Sequence, residues 1–157
     1  YVFEEYTPSQ KRMKRLEAGD VVKASLEFPI FNSTESIRID QQGKLILLDY
    51  WYMACPPGMK ASSYLNEMYH DYSEKEFMVI GINPFDKKED KLIEFLEKKN
   101  IDYPVSLDLE KKTVDLFGIT AYPSFLLIDQ TGKIILREDG FSVEIIQKLR
   151  SEINKRI

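Results

Sequence analysis

The sequence predicts an α/β domain with a mixed β-sheet and helices on both of its faces. Residues 44–50 (Lys-Leu-Ile-Leu-Leu-Asp-Tyr) and 77–83 (Phe-Met-Val-Ile-Gly-Ile-Asn) are nearly unbroken apolar runs, as expected of strands covered on both sides. Helical periodicity follows each run, so these strands are joined by crossovers and run parallel. Two later runs, 124–129 and 133–138, flank Gln130-Thr131-Gly132, a hairpin signal that adds antiparallel strands.

Taken in order, residues 8–19 read as a short polar helix ended by Gly19. Residues 24–31 and 36–40 read as short strands separated by the turn-prone Asn32-Ser33-Thr34. The central strand 44–50 follows Gly43 and leads into a loop carrying Cys55-Pro56-Pro57-Gly58. A helix over 59–72 places Ala61, Leu65, Met68 and Tyr72 on one face. After the strand 77–83, Asp86 and Glu89 have the spacing of a capping box for a helix over 88–99, which turns Leu92, Phe95 and Leu96 inward. Residues 105–107 make a short strand and 111–117 a short helix stopped by Gly118. Ser142 caps a last amphipathic helix running to the C-terminus, with Val143, Ile145, Ile146, Leu149 and Ile153 apolar. Residues 1–23 are expected to form an N-terminal extension and 24–157 the domain.

The 157 residues are 43% hydrophobic and 31% charged, a balance that suits one globular domain with a sizeable core. A net charge of −4 without a basic stripe disfavours nucleic acid. No apolar run approaches the roughly 18 residues a bilayer span requires. The chain begins at Tyr1 rather than Met and is expected to be a trimmed or mature piece of something longer. One cysteine permits no internal disulfide, and one cysteine with one histidine (His70) cannot supply the four ligands of a structural zinc. No metal and no cofactor are expected, and any thiol chemistry must use Cys55.

Three features sit where thiol chemistry would want them. Cys55 lies between a strand and a helix, where backbone N–H groups and the helix dipole favour the thiolate. Asp49 lies near the end of the buried strand, six residues before Cys55. A carboxyl there is costly to bury ionised, so its pKa is expected to rise, and a raised carboxyl near a thiol can move protons. Tyr122-Pro123 directly precedes the strand 124–129, and a proline entering a central strand points to a cis bond.

Together these residues resemble the thioredoxin family. Leu47 to Gly58 (Leu-Leu-Asp-Tyr-Trp-Tyr-Met-Ala-Cys-Pro-Pro-Gly) is similar to its pattern of apolar strand, Asp, aromatic, Trp and Cys-x-x-Cys. Gly118-Ile-Thr-Ala-Tyr-Pro-Ser124 is similar to its cis-proline segment. The Pro-Pro pair and the insert before the cis-proline are most similar to exported bacterial thiol–disulfide oxidoreductases of the redoxin type. The resemblance implies a thioredoxin fold over 24–157 and an extracytoplasmic setting, in the periplasm or at a membrane anchor. It implies that Cys55 is the nucleophile and Asp49 the carboxyl assisting proton transfer. Trp51, Pro56, Pro57, Tyr122 and Pro123 would line the substrate groove. The implied partner is a disulfide- or thiol-bearing protein, or a low-molecular-weight thiol.

Two departures stand out. Gly58 occupies the place of the family's resolving cysteine, and Ala54 the place of an aromatic residue before the nucleophile. Without a resolving thiol, attack by Cys55 stops at a mixed disulfide that an external thiol must release. The alternative is a redox-inactive binding module that holds a peptide in the Cys55/Pro123 groove; a substrate-trapping origin for Gly58 is a further alternative. Peroxiredoxins share the fold, but their motif needs a hydroxyl three residues before the cysteine and a proline seven before. Tyr52 and Leu48 stand there instead. His70 is expected to be a solvated surface residue.

Overall fold

The computed structural model describes residues 15–22, 26–39 and 43–157. The strands β1 (Glu27–Pro29) and β2 (Ser36–Arg38) pair antiparallel as a two-stranded sheet of their own. Asn32 turns the chain between them with φ 61. This pairing is shorter than the predicted 24–31 and 36–40, of which residues 24, 25 and 40 lie outside the described residues. Most of the predicted helix 8–19 also lies outside them. Its described end, residues 15–19, is not helical: Gly19 (φ 99) closes a turn instead.

The main sheet contains β3 (Leu45–Tyr50), β4 (Phe77–Asn83), β5 (Val105–Leu107), β6 (Ser124–Ile128) and β7 (Ile134–Asp139). Its order is β5-β4-β3-β6-β7, with β3, β4 and β5 parallel and β6 and β7 antiparallel. Four helices accompany it among the described residues: α1 (Pro56–Asp71), α2 (Glu89–Lys98), α3 (Lys112–Phe117) and α4 (Val143–Asn154). The α/β mixed sheet expected from the sequence is present.

All six residues of β3 are buried, as its unbroken apolar run demands. Strand alternation then divides the core. Ile46, Leu48 and Tyr50 pack with Ile80, Ile82, Leu126, Val114 and Phe117 on one side. Leu45 and Leu47 pack with Val79, Leu127, Leu65 and Leu149 on the other. A smaller cluster of Trp51, Leu92 and Val105 lies under α2.

The outer edge of β7 is occupied by the chain's own N-terminal segment. Gly19 N–H donates to Ile134 O, Ile134 N–H to Asp20 O and Val22 N–H to Gly132 O, each at 2.8 Å. This backbone pairing satisfies an edge that would otherwise invite association. At the hairpin, Asp129 Oδ1 accepts from the N–H groups of Thr131 and Lys133 at 2.8 and 3.0 Å. Ser142 Oγ accepts from Ile145 N–H at 3.1 Å, the predicted cap.

Several helix ends differ from expectation; α4 stops at Asn154 instead of running to the C-terminus. α1 begins at Pro56 instead of residue 59, because a proline at the helix start loses no hydrogen bond it would otherwise make. Cys55 thereby becomes the N-cap, with φ −105 and ψ 99. The capping box at 86–89 does not form; Lys88 precedes α2 without a side-chain cap. Asp86 Oδ2 instead accepts from Met53 N–H at 2.8 Å and Asn83 Nδ2 at 2.7 Å.

Candidate functional site

The site is built at the C-terminal end of β3. Trp51 N–H donates to Ile82 O at 3.0 Å and prolongs the parallel pairing by one residue. The chain then turns, with Cys55 N–H donating to Tyr52 O at 3.2 Å while Asp86 holds Met53. Met59 N–H donates to Cys55 O at 3.0 Å, which opens a helix of 16 residues. Cys55 therefore stands at the positive end of that helix.

Strand order delivers the second half of the site. β6 lies antiparallel beside β3 with Ser124 opposite Tyr50, so residues 122 and 123 arrive next to Cys55. The Tyr122–Pro123 peptide bond is cis. Cys55 Sγ donates to Tyr122 O at 3.5 Å, across 67 residues of sequence. Cys55 is 4% exposed. Gly58, one turn into α1, stands directly over it: a Cβ built there would lie 3.5 Å from Cys55 Sγ and 3.6 Å from its Cβ.

Asp49 is 1% exposed and stands opposite Gly81 in β4 and Phe125 in β6. Burial pushes its carboxyl up to about 8, opposed by the Tyr103 hydroxyl, which donates to Oδ2 at 3.4 Å. Its Oδ1 has no protein partner. Tyr103 is itself raised by burial and by the neighbouring Asp49 charge. Near neutral pH Asp49 therefore holds a proton that an ordinary carboxylate would have lost. Gly81 makes room for this arrangement, because a Cβ there would come within 2.8 Å of Trp51 Nε1 and 3.0 Å of Tyr103 Cε1.

The residues named for the groove separate. Pro56 and Pro57 are exposed, Tyr122 is half-buried and Pro123 is buried beside Cys55. Trp51 faces inward at 2% exposure, stacked on Phe95 at 5.8 Å, and supports the loop from behind. Tyr52, Phe85 and Tyr122 form an edge-to-face cluster with centroids 5.0, 5.5 and 5.3 Å apart. Burial and the Asp108 charge push the Tyr122 hydroxyl up to about 12. His70 is exposed and pairs with Asp102 at 2.7 Å, away from these residues. Tyr103, Asp86 and Phe85 were not singled out from the sequence as site residues. The Tyr103-Pro104 pair before a strand was a faint signal for the first, and the spacing of Asp86 pointed to a different role. Among the described residues no group of His, Cys, Asp and Glu could hold a metal ion.

A model of the AhpC/TSA family matches residues 24–137. The thiol-disulfide oxidoreductase ResA of Bacillus anthracis is 30% identical over 96 residues, which is 61% of this chain and 55% of that protein. The chain thus spans little more than half the length of that relative. Among solved structures, the thiol:disulfide interchange protein DsbE of Chlorobium tepidum superposes with a TM-score of 0.78 at 28% identity, covering 89% of this chain and 97% of that one. StoA of Bacillus subtilis gives a TM-score of 0.70 at 19% identity over 83% of this chain and 99% of its own, a likeness of fold. The thioredoxin-like architecture expected from the sequence is shared with these proteins.

Proposed function

The chain belongs to the AhpC/TSA family, and from that premise we propose that it is a thiol–disulfide oxidoreductase working through one cysteine, Cys55. The observation that carries this is the position of the sulfur. It sits at the N-cap of α1, against the carbonyl preceding Pro123, with Gly58 where a second thiol would stand.

The Cys55 thiolate attacks one sulfur of a disulfide; a new S–S bond forms to Cys55 and the other sulfur leaves as a thiolate that takes up a proton. No second cysteine exists in the chain, so an external thiolate attacks the mixed disulfide and restores Cys55. Asp49 is assigned the proton exchange, since a carboxyl titrating near 8 can both hold and release a proton at the pH where thiols ionise. The Cys55–Tyr122 contact must open for a disulfide to reach the sulfur, and a thiol is a weak donor, so this contact yields readily.

Peroxide chemistry is not favoured despite the family's membership: Leu48 is fully buried in the sheet and Tyr52 is engaged with Phe85 and Tyr122. The partner would be a protein disulfide or a small thiol such as glutathione, in an extracytoplasmic compartment. No described helix is long and apolar enough to cross a membrane.

Incubation with oxidised glutathione followed by intact mass measurement tests this. A single glutathione adduct on the wild type, absent from Cys55→Ser, is the expected result. No adduct, together with an alkylation rate that follows an ordinary thiol titration, would count against thiol exchange. Capture of the same partner by Cys55→Ser would point to binding alone.

A further inference from the structure

The segment 118–123, which carries the carbonyl over Cys55, has no strand or helix pairing of its own. At its start Gly118 N–H and Ile119 N–H donate to Asp115 O and Val114 O of α3; its further anchors come from β7 and from the N-terminal segment. Arg137 has a side chain only 1% exposed; carbonyls satisfy its two Nη atoms, while its buried Nε has no hydrogen-bond partner and lies 3.8 Å from Asp139 Oδ1. Nη1 donates to Leu16 O at 2.7 Å and to Phe117 O, and Nη2 donates to Gly118 O at 3.0 Å. Gly118 (φ 64) packs so closely on the N-terminal segment that a Cβ would lie 2.9 Å from Arg15 Cα. Gly140 N–H donates to Pro123 O at 2.7 Å.

Asp139 joins these pieces. Its Oδ2 accepts from Arg15 Nη2 at 2.7 Å, and its Oδ1 lies 3.0 Å from Ser124 Oγ. The same hydroxyl reaches Ala121 O at 2.6 Å, inside the segment. A hydroxyl has one proton, so Ser124 ties the segment to the carboxylate through a shared contact, and Arg15 holds that carboxylate from the far side. Arg15 and Asp139 both fall outside the residues matched by the family model, 24–137.

We infer that Asp139 is a positioning residue for Cys55: with Arg15 it braces Ser124 and the 118–123 segment, and so sets how tightly the Tyr122 carbonyl covers the sulfur. Residues 15–22 are thereby part of the site's support as well as a cover for β7. The consequence for turnover rests on the proposed thiol exchange, whereas the brace itself is measurable without it.

The test compares wild type with Asp139→Ala, Asp139→Asn, Arg15→Ala and the Arg15→Ala/Asp139→Ala pair. The readouts are native-state alkylation of Cys55 by iodoacetamide, hydrogen exchange of the Ala121 and Tyr122 amides, and glutathione adduct formation. Losing one charge-assisted hydrogen bond corresponds to roughly a tenfold shift in a local opening equilibrium, so Asp139→Ala should speed alkylation and exchange at 121–122 about tenfold. Asp139→Asn keeps an acceptor toward Ser124 and should recover most of the protection. The double variant should be no worse than Asp139→Ala, because Asp139→Ala already removes the Arg15–Asp139 contact. Should Asp139→Ala fail to fold, Ser124→Ala carries the same comparison. Rates within about twofold of wild type, an increase spread evenly over α1 and α4, or fully additive single effects would each overturn the brace. Wild type that alkylates but never forms a glutathione adduct would sink thiol exchange while leaving the brace standing; an unchanged Asp139→Ala beside a normal adduct would do the reverse.

Discussion

Replacing Gly58 with cysteine asks whether the backbone around Cys55 still has the geometry of a dithiol site. A Cβ at position 58 would lie 3.6 Å from Cys55 Cβ, inside the roughly 3.5–4.5 Å that a disulfide needs. It would also sit 3.8 Å from Trp51 Cβ, an ordinary contact that asks nothing of its neighbours. Gly58→Cys should therefore oxidise to an internal bridge without moving the helix. The closed loop runs from residue 55 to residue 58, and chain entropy for so short a loop gives about 2 kcal/mol of stabilisation. For a chain of 157 residues that corresponds to roughly 4–8 °C between oxidised and reduced forms. The helix-propensity gain over glycine is common to both forms and cancels. The assay is a pair of thermal melts with and without reductant, plus a thiol count on the oxidised sample. An internal thiol at this distance also outcompetes an external one, so the glutathione adduct expected of the wild type should not accumulate. Two free thiols after exposure to oxidised glutathione, or coincident melts, would refute the placement of Gly58 over Cys55.

Two more perturbations probe the buried carboxyl. Asp49 keeps its proton to about pH 8 when folded and to about 3.8 when unfolded, so between those values the folded form binds more protons and stability falls as pH rises. Asp49→Asn should flatten that fall in urea titrations and stabilise the protein at pH 7 by about 4 kcal/mol; an unchanged pH slope would mean Asp49 is ionised in the fold. Gly81→Ala puts a methyl 2.8 Å from Trp51 Nε1 and should cost roughly 1–3 kcal/mol. Trp51 is the single tryptophan, so its emission should shift with the urea midpoint; if neither moves, the close approach at Gly81 is wrong.

Much of the fold was legible because it depends on neighbours in sequence. The apolar run of β3, the Ser142 cap and the Asp129 hairpin all formed where the residues indicated. Periodicity placed the start of α1 three residues late, since Pro56 and Pro57 carry no apolar period although they suit a first turn. Asp86 shows the opposite failure. Its spacing to Glu89 suited a cap, but the Met53 N–H, 33 residues away, is the partner it takes in the fold.

The sequence by itself determined the sheet's interior, the presence of a helix after Cys55 and the identity of the one available thiol. These follow from side-chain polarity and from residue types a few positions apart. Only the tertiary structure decided that Tyr103 shields Asp49 across 54 residues, that Trp51 turns inward, and that Arg15 reaches Asp139 across 124. Such pairs are selected by strand order and by the cost of leaving buried charge unpaired, and no local pattern encodes either.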